Sequence, residues 1–413
     1  MVSSHRISRI LASFVIGALL AAGAVVGASP ASAATPILTL SPTSGPSGTE
    51  VAVTGTGFTK KSPGTVTAGT ASAAFTTSAS GYFTVKIRIP STAAPTLPII
   101  ATSGSSTATA AFTVTGGGGP APVVPPISTA RLRFGVSTPG GATANAELDA
   151  VATIAGESPS IVLSYYDFSQ PPPIADLQSV AARGATSVIT WEPWRWGGGL
   201  NQRTYANARV ASGAFDTYLK QWGTALATWG KPVYLRYGHE MNGDWYPWAE
   251  GVNSNGAGSY VAAWKHVHDV LLAQGATNVS WVWSPNVPYT GSTALTGLYP
   301  GSSYVDVVAL DGYNWGTSQT WSTWVSPATL FGEGLTQLRA LAPGKPILIA
   351  ETASAEAGGS KAEWNSAAVA YLNTQPDVFG FVWFHYNKEV DWRIDSSPAS
   401  VAAFAGALLL RRS

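Results

Sequence analysis

The sequence predicts two folded parts, a small all-β sandwich over residues 34–115 and a (β/α)8 TIM barrel over residues 128–413. Three observations carry this prediction. Eight short apolar runs alternate with helix-period or turn-rich stretches along the last 285 or so residues, which is the arithmetic of a barrel. The segment before them has no Trp and one acidic residue, Glu50, and is rich in Thr, Ser, Gly and Ala. Its strands alternate in polarity, as a half-buried sheet requires. Gly116 to Gly119 and the Pro-rich stretch Pro120 to Pro126 lie between the two, and residues 116–127 are expected to be a linker, flexible in its first half and extended in its second.

Residues 1–33 read as a secretory signal peptide. Arg6 and Arg9 charge its start, Ile10 to Val26 is apolar, and Ala31-Ser32-Ala33 offers small residues for cleavage, so the mature chain is expected to begin near Ala34 and to be secreted. The competing reading of the same apolar stretch is an uncleaved anchor. The 413 residues contain no Cys, which removes disulfides, thiolate metal sites and cysteine nucleophiles from consideration. Lys plus Arg number 23 and Asp plus Glu 22, so there is no excess charge to hold nucleic acid or an anionic membrane.

In the first domain, Phe83, Val85, Ile87 and Ile89 alternate with Thr84, Lys86 and Arg88, giving one apolar and one wet face, and Val51 and Val53 repeat the pattern. At about 80 residues a two-sheet sandwich buries such faces. The run Leu40-Ser41-Pro42-Thr43-Ser44-Gly45-Pro46, followed by Gly55-Thr56-Gly57-Phe58, resembles the opening of immunoglobulin-like TIG domains.

The second part holds all 16 Trp. Its apolar runs are Arg131 to Val136, Ile161 to Tyr165, Ser187 to Trp191, Val233 to Tyr237, Val279 to Trp283, Val305 to Leu310, Ile347 to Ala350 and Val378 to Trp383. Strands apolar throughout are buried on both faces, as in a parallel sheet covered by helices. Helical stripes stand between them: Phe215, Leu219, Trp222, Leu226 and Trp229, then Tyr260, Trp264, Val267 and Leu271. Ser360 with Glu363 forms a capping box, and Ser397-Pro398 opens a last helix.

A barrel presents its chemistry at the carboxyl ends of its strands. There the third run gives Trp191-Glu192-Pro193-Trp194, the fourth Arg236-Tyr237-Gly238-His239-Glu240, the sixth Asp311-Gly312-Tyr313, the seventh Glu351 and the eighth Trp383-Phe384-His385. Glu240 and Glu351 each follow an apolar strand directly, on strands that face each other across the ring. Two carboxyls about 5 Å apart suit a retaining glycosidase, in which one protonates the departing oxygen and the other attacks the sugar. The plain alternative is that Glu240 pairs with Arg236 and Glu351 caps a helix.

The segment Arg236-Tyr237-Gly238-His239-Glu240-Met241-Asn242-Gly243-Asp244-Trp245 resembles the strand-four signature of glycoside hydrolase family 26, the β-mannanases and their relatives. Lys345-Pro346-Ile347-Leu348-Ile349-Ala350-Glu351-Thr352 is similar to the family's strand-seven segment, and Asp311-Gly312-Tyr313 to its strand-six end. The likeness spans Arg131 to Leu410. It implies acid/base duty for Glu240, nucleophile duty for Glu351, and β-1,4-mannan as substrate, with β-1,3-xylan or mixed-linkage β-glucan as alternatives.

Substrate-binding roles are then expected for His239, on the sugar or the nucleophile; Arg236, orienting carboxylates from below; Tyr313, donating to Glu351; and Trp245 and Trp383, stacking on sugar faces, with Trp191 and Trp194 weaker candidates for the same work. Each has a structural alternative as a satisfied core residue. His239-Glu240 also begins like a zinc-protease motif, but position 243 is Gly, not His, and no metal or other cofactor is implied. The expected partner is a β-linked polysaccharide, and the chain is expected to act as a monomer. The first domain is read as a spacer, a glycan binder or a cell-wall contact. The rival class is a non-catalytic glycan-binding protein, which has no use for two facing acids.

Overall fold

The apolar runs pair edge to edge and close on themselves. The computed structural model describes residues 35–45, 48–90, 96–114 and 131–411. The signal peptide expected at 1–33 and the linker expected at 116–127 lie outside the described residues. No helix among the described residues is long and apolar enough to cross a membrane.

In the first domain, strands β1 (Ile37–Ser41), β3 (Glu50–Thr56) and β6 (Phe83–Arg88) form a three-stranded sheet. β2 (Ser44–Gly45), β8 (Ser106–Val114), β7 (Thr96–Ser103), β4 (Pro63–Ala68) and β5 (Ala71–Thr76) form a five-stranded one in that spatial order. The predicted alternation is realised: Phe83, Ile87 and Ile89 are buried with Val51, Val53, Val66, Ile99 and Phe112 between the sheets, while Thr84, Lys86 and Arg88 face solvent.

The barrel strands are β9 (Arg133–Ser137), β10 (Ile161–Asp167), β11 (Thr186–Glu192), β12 (Val233–Tyr237), β13 (Val279–Trp283), β14 (Val307–Asn314), β15 (Ile347–Ser354) and β16 (Val378–Phe384). All pair in parallel in chain order, and β16 returns to β9 with Phe381 opposite Phe134, closing the ring. The predicted helix starts are also present. Ser360 Oγ accepts the backbone N–H of Glu363 ahead of the helix Lys361–Asn373, and Ser397 Oγ accepts that of Ser400 ahead of Pro398–Leu409.

Although the runs are mostly apolar, their two faces pack against different things. Ile161, Leu163, Val188, Tyr234, Val282, Val307, Ala309, Leu348, Ala350, Phe379 and Val382 fill the barrel interior, with Tyr165 packed on them. The opposite phase, Trp191, Leu235, Tyr237, Trp281, Trp283, Leu310, Ile349 and Trp383 among it, packs under the helices. This alternation decides which side chains at a strand end reach the mouth of the barrel.

Candidate active site

Continuing the interior phase by two or four residues along three of the strands yields most of the site. On β11 it passes from Val188 through Thr190 to Glu192, on β12 from Tyr234 to Arg236, and on β14 from Ala309 through Asp311 to Tyr313. These groups meet. Arg236, fully buried, donates from Nε to Thr190 Oγ1 (2.9 Å), from Nη1 to Asp311 Oδ2 (2.7 Å) and from Nη2 to Glu351 Oε1. Ser284 Oγ donates to the other oxygen of Asp311 (3.0 Å). Tyr313 Oη donates to Glu351 Oε2 at 2.5 Å. Burial and the charge of Glu351 push the Tyr313 phenol well up, so it keeps the proton it donates.

Glu351 itself breaks the alternation, because Leu348 and Ala350 already point inward and the next residue belongs outside. The ladder corrects this. Leu310 of β14 lies opposite Ile349 whereas Asp311 lies opposite Glu351, so Ala350 is an extra residue, a β-bulge. A bulge re-aims the side chain that follows it, here turning a carboxylate toward the mouth. β14 and β15 stay paired four residues past the predicted strand ends, from Asp311 and Glu351 to Asn314 and Ser354.

Glu240 is delivered by a turn. Gly238 and Glu240 both have φ near +51°, a conformation glycine adopts freely and glutamate only at a cost, and Glu240 N–H donates to Ser284 O (2.7 Å). The remaining residues of the segment hold this turn. Asn242 Oδ1 accepts the backbone N–H of Asn286, and its Nδ2 donates to Asn286 O, both at 2.9 Å. Asn286 in turn donates from Nδ2 to Glu240 Oε1 (2.8 Å), and Trp245 Nε1 donates to Glu240 Oε2 (2.7 Å). At Gly243 a Cβ would come within 2.4 Å of the Trp245 ring, so any larger residue would displace that indole.

The two acids have unlike surroundings. Burial, then the charge of Glu351, pushes Glu240 up to about 7, against the opposing pull of Asn286, Trp245 and Arg236. Glu351 is ion-paired to Arg236, with His239 Nε2 3.9 Å away. His239 is fully buried, donates or accepts at Tyr246 Oη (3.2 Å), and is held neutral by burial and by Arg236. It stands behind the carboxylate, not on the cleft surface.

Both acids line one cleft of about 1580 Å³, larger than a drug-sized pocket and suited to an extended ligand. Trp196, Trp245, Tyr289 and Trp321 line it while remaining exposed, and Trp194, Trp315 and Trp392 also reach its wall. The predicted sugar platforms are thus divided. Trp245 is on the cleft, stacked on Tyr289 at 5.8 Å. Trp191 and Trp383 are not: both are fully buried on the outward phase, Trp191 stacked on Trp222 (4.3 Å) with Nε1 donating to Tyr218 Oη, and Trp383 against Phe404 with Nε1 donating to Trp392 O. They are core residues, and their expected role at the sugar is corrected. The alternation that excludes them selects Tyr165, Glu192 and Phe384, which do line the cleft. Asn286 and Tyr289, on the loop after β13, had no signal of their own in the sequence.

Residues 36–115 match the model for the IPT/TIG domain and residues 200–355 that for Glycosyl hydrolase family 26. Endoglucanase H of Acetivibrio thermocellus is 43% identical over 247 residues, 59% of this chain and 26% of that protein. Mannan endo-1,4-beta-mannosidase A and B of Caldalkalibacillus mannanilyticus is 30% identical over 173 residues, 40% of this chain and 31% of that protein. The chain therefore spans less than a third of the length of these two relatives. Among solved structures, a modular endo-beta-1,4-mannanase from Cellulomonas fimi superposes with a TM-score of 0.51 at 18% identity, covering 67% of this chain and 70% of that one. The GH26 endo-beta-1,4-mannanase catalytic domain of Bacillus sp. JAMB-750 does so at 0.50 and 20%, covering 67% and 85%, and both share the fold. Residues 200–355 thus carry the likeness to glycosyl hydrolase family 26, and residues 36–115 the likeness to the IPT/TIG domain.

Proposed function

We propose that the chain is a secreted glycoside hydrolase that cuts internal bonds of a β-linked polysaccharide with retention of configuration. One observation carries the reading: two buried carboxyls line a single aromatic-walled cleft, one pushed up to about 7 and the other ion-paired to a buried arginine and hydrogen-bonded by a tyrosine. A glycosidase of this kind needs an acid and a nucleophile at the same moment, and these environments supply them.

In the first step a Glu351 oxygen attacks the anomeric carbon as the glycosidic C–O bond breaks, and Glu240 gives its proton to the departing oxygen. The product is a glycosyl ester of Glu351. In the second step Glu240, now a carboxylate, takes a proton from water, whose oxygen attacks the same carbon and frees Glu351. Two inversions give retention. Arg236 and Tyr313 hold Glu351 in line and stabilise its charge before attack and after release.

The resemblance of the Arg236–Trp245 segment suggests β-1,4-mannan. The higher identity to a protein named an endoglucanase favours a β-glucan, which we take as the first substrate to test. Secretion rests on the leader-like residues 1–33.

The test is incubation with mannan, β-1,3-xylan and mixed-linkage β-glucan, with proton NMR of the first product. A retained anomer from internal cleavage is expected, and inactivity on all three or an inverted anomer removes the reading. Cleavage of mannan alone reverses the choice of sugar. Glu240→Ala is expected to lower kcat on the natural substrate by about 100- to 10,000-fold, and Glu351→Ala by at least as much, without loss of fold. Near-normal turnover in either variant ends that residue's assignment.

A further inference from the structure

A third buried carboxyl on the cleft has no part in that mechanism. Glu192 ends β11 on the interior phase and is only 4% exposed, yet it lines the same cleft as Glu240 and Glu351. Its Oε2 is occupied: Trp194 Nε1 donates to it at 3.1 Å and Trp196 Nε1 at 2.5 Å. Among the described residues no donor reaches Oε1. Arg236, whose charge acts on Glu192, spends its own hydrogen bonds on Thr190, Asp311 and Glu351.

A carboxylate buried this deeply without a bonded cation is costly, and core packing gives no return for it. Burial pushes it up to about 7 even against the two indole hydrogen bonds. Holding the two indoles in place would need only one acceptor oxygen, which a neutral amide supplies as well. The second oxygen is therefore the informative one. Glu192, bonded through Oε2 to Trp196 Nε1, stands beside that residue, whose half-exposed ring is also on the cleft wall. An aromatic face with an adjacent fixed acceptor matches one side of a hexopyranose, with its C–H face on the ring and a hydroxyl at the edge.

Given that the chain acts on a β-glycan, we propose that Glu192 is a specificity-determining residue: its Oε2 is clamped by the indoles of Trp194 and Trp196 so that its Oε1 accepts a hydroxyl proton from a sugar unit lying on Trp196. A hydrogen bond to a buried polar group discriminates steeply between sugars that carry the hydroxyl and those that lack it, because the lacking sugar leaves that group desolvated and unpaired.

Glu192→Gln separates this from a structural role. The amide oxygen keeps both indole hydrogen bonds, while the cleft receives N–H in place of an acceptor. On the substrate the wild type cleaves, KM is expected to rise about 10- to 100-fold with kcat changed less than about threefold. An oligosaccharide lacking the contacted hydroxyl is expected to lose that much affinity for the wild type and little for Glu192→Gln. As a second measurement independent of that variant's folding, a crystal structure of Glu351→Ala with a bound oligosaccharide is expected to show a sugar hydroxyl on Glu192 Oε1. An unchanged KM in folded Glu192→Gln overturns the assignment, as does a filled cleft in which no sugar oxygen touches Glu192. A wild type that neither cleaves nor binds any β-glycan removes the glycosidase reading and this inference together, whereas an active wild type with an indifferent Glu192 removes this inference alone.

Discussion

Glu240 and Glu351 are the same side chain placed in two surroundings, and the difference can be measured. Glu240 is held at about 7, above the ordinary 4.5, by burial first and the charge of Glu351 second. A raised acid is protonated below that value and loses its proton above it, so general-acid catalysis is present at lower pH and fades as pH rises through about 7. We expect an alkaline limb in kcat/KM near 7 on natural glycan. Glu192 is raised to the same region, so the limb is assigned by variant: it vanishes in Glu240→Ala assayed on an aryl glycoside whose leaving group needs no proton. A limb that persists there contradicts the role of Glu240. At this scale a motif singled out Glu240 and Trp245, which line the cleft, and Arg236, which pairs with Glu351. It misled for Trp191 and Trp383, because a tryptophan at a strand end reads the same whether it faces the cleft or the helices.

At the scale of the element, the barrel strands were legible because their apolar runs are short and bounded. Val233–Tyr237 and Val279–Trp283 coincide with prediction, and β14 and β15 run longer only because their polar ends go on pairing. What could not be read was phase. In a strand buried on both faces polarity does not alternate, so the inward residues are identified only by what they touch. Nor does the sequence announce the bulge at Ala350 that turns Glu351 toward the mouth. The turn at Gly238 gives a test at this scale. A Cβ there would meet Tyr260 at 3.2 Å and Trp248 at 3.4 Å, in a backbone conformation costing a non-glycine roughly 1–2 kcal/mol. Gly238→Ala is expected to lower stability by about that amount in denaturant melts and, by shifting Glu240, to lower kcat/KM by about 10- to 100-fold. Loss of stability with unaltered kinetics would show that the turn does not position the acid.

The whole molecule depends on closing the ring between β16 and β9 and tying down the chain that follows. Arg411 does the tying: its buried guanidinium donates to Leu132 O (2.7 Å) and Leu408 O (2.9 Å) and pairs with Glu157, which Arg131 also reaches at 3.0 Å. Arg411→Ala is expected to destabilise by about 2–3 kcal/mol, the low side for a broken buried pair because Glu157 keeps contact with solvent. Equilibrium denaturation measures it, and a change within 0.5 kcal/mol, about that of an ordinary surface substitution, would contradict the clasp. The first domain meets the barrel through Arg88 and Asp269 at 2.7 Å, a partly exposed pair of small energetic weight. By itself the sequence determined the division into a β-sandwich and a barrel, the order of the strands, and the motif around Glu240, since these follow from local periodicity and short-range spacing. Tertiary structure alone decided which face of each strand looks inward, which tryptophans meet the cleft, and that Glu192 joins the two acids, because those depend on contacts between residues far apart in the chain.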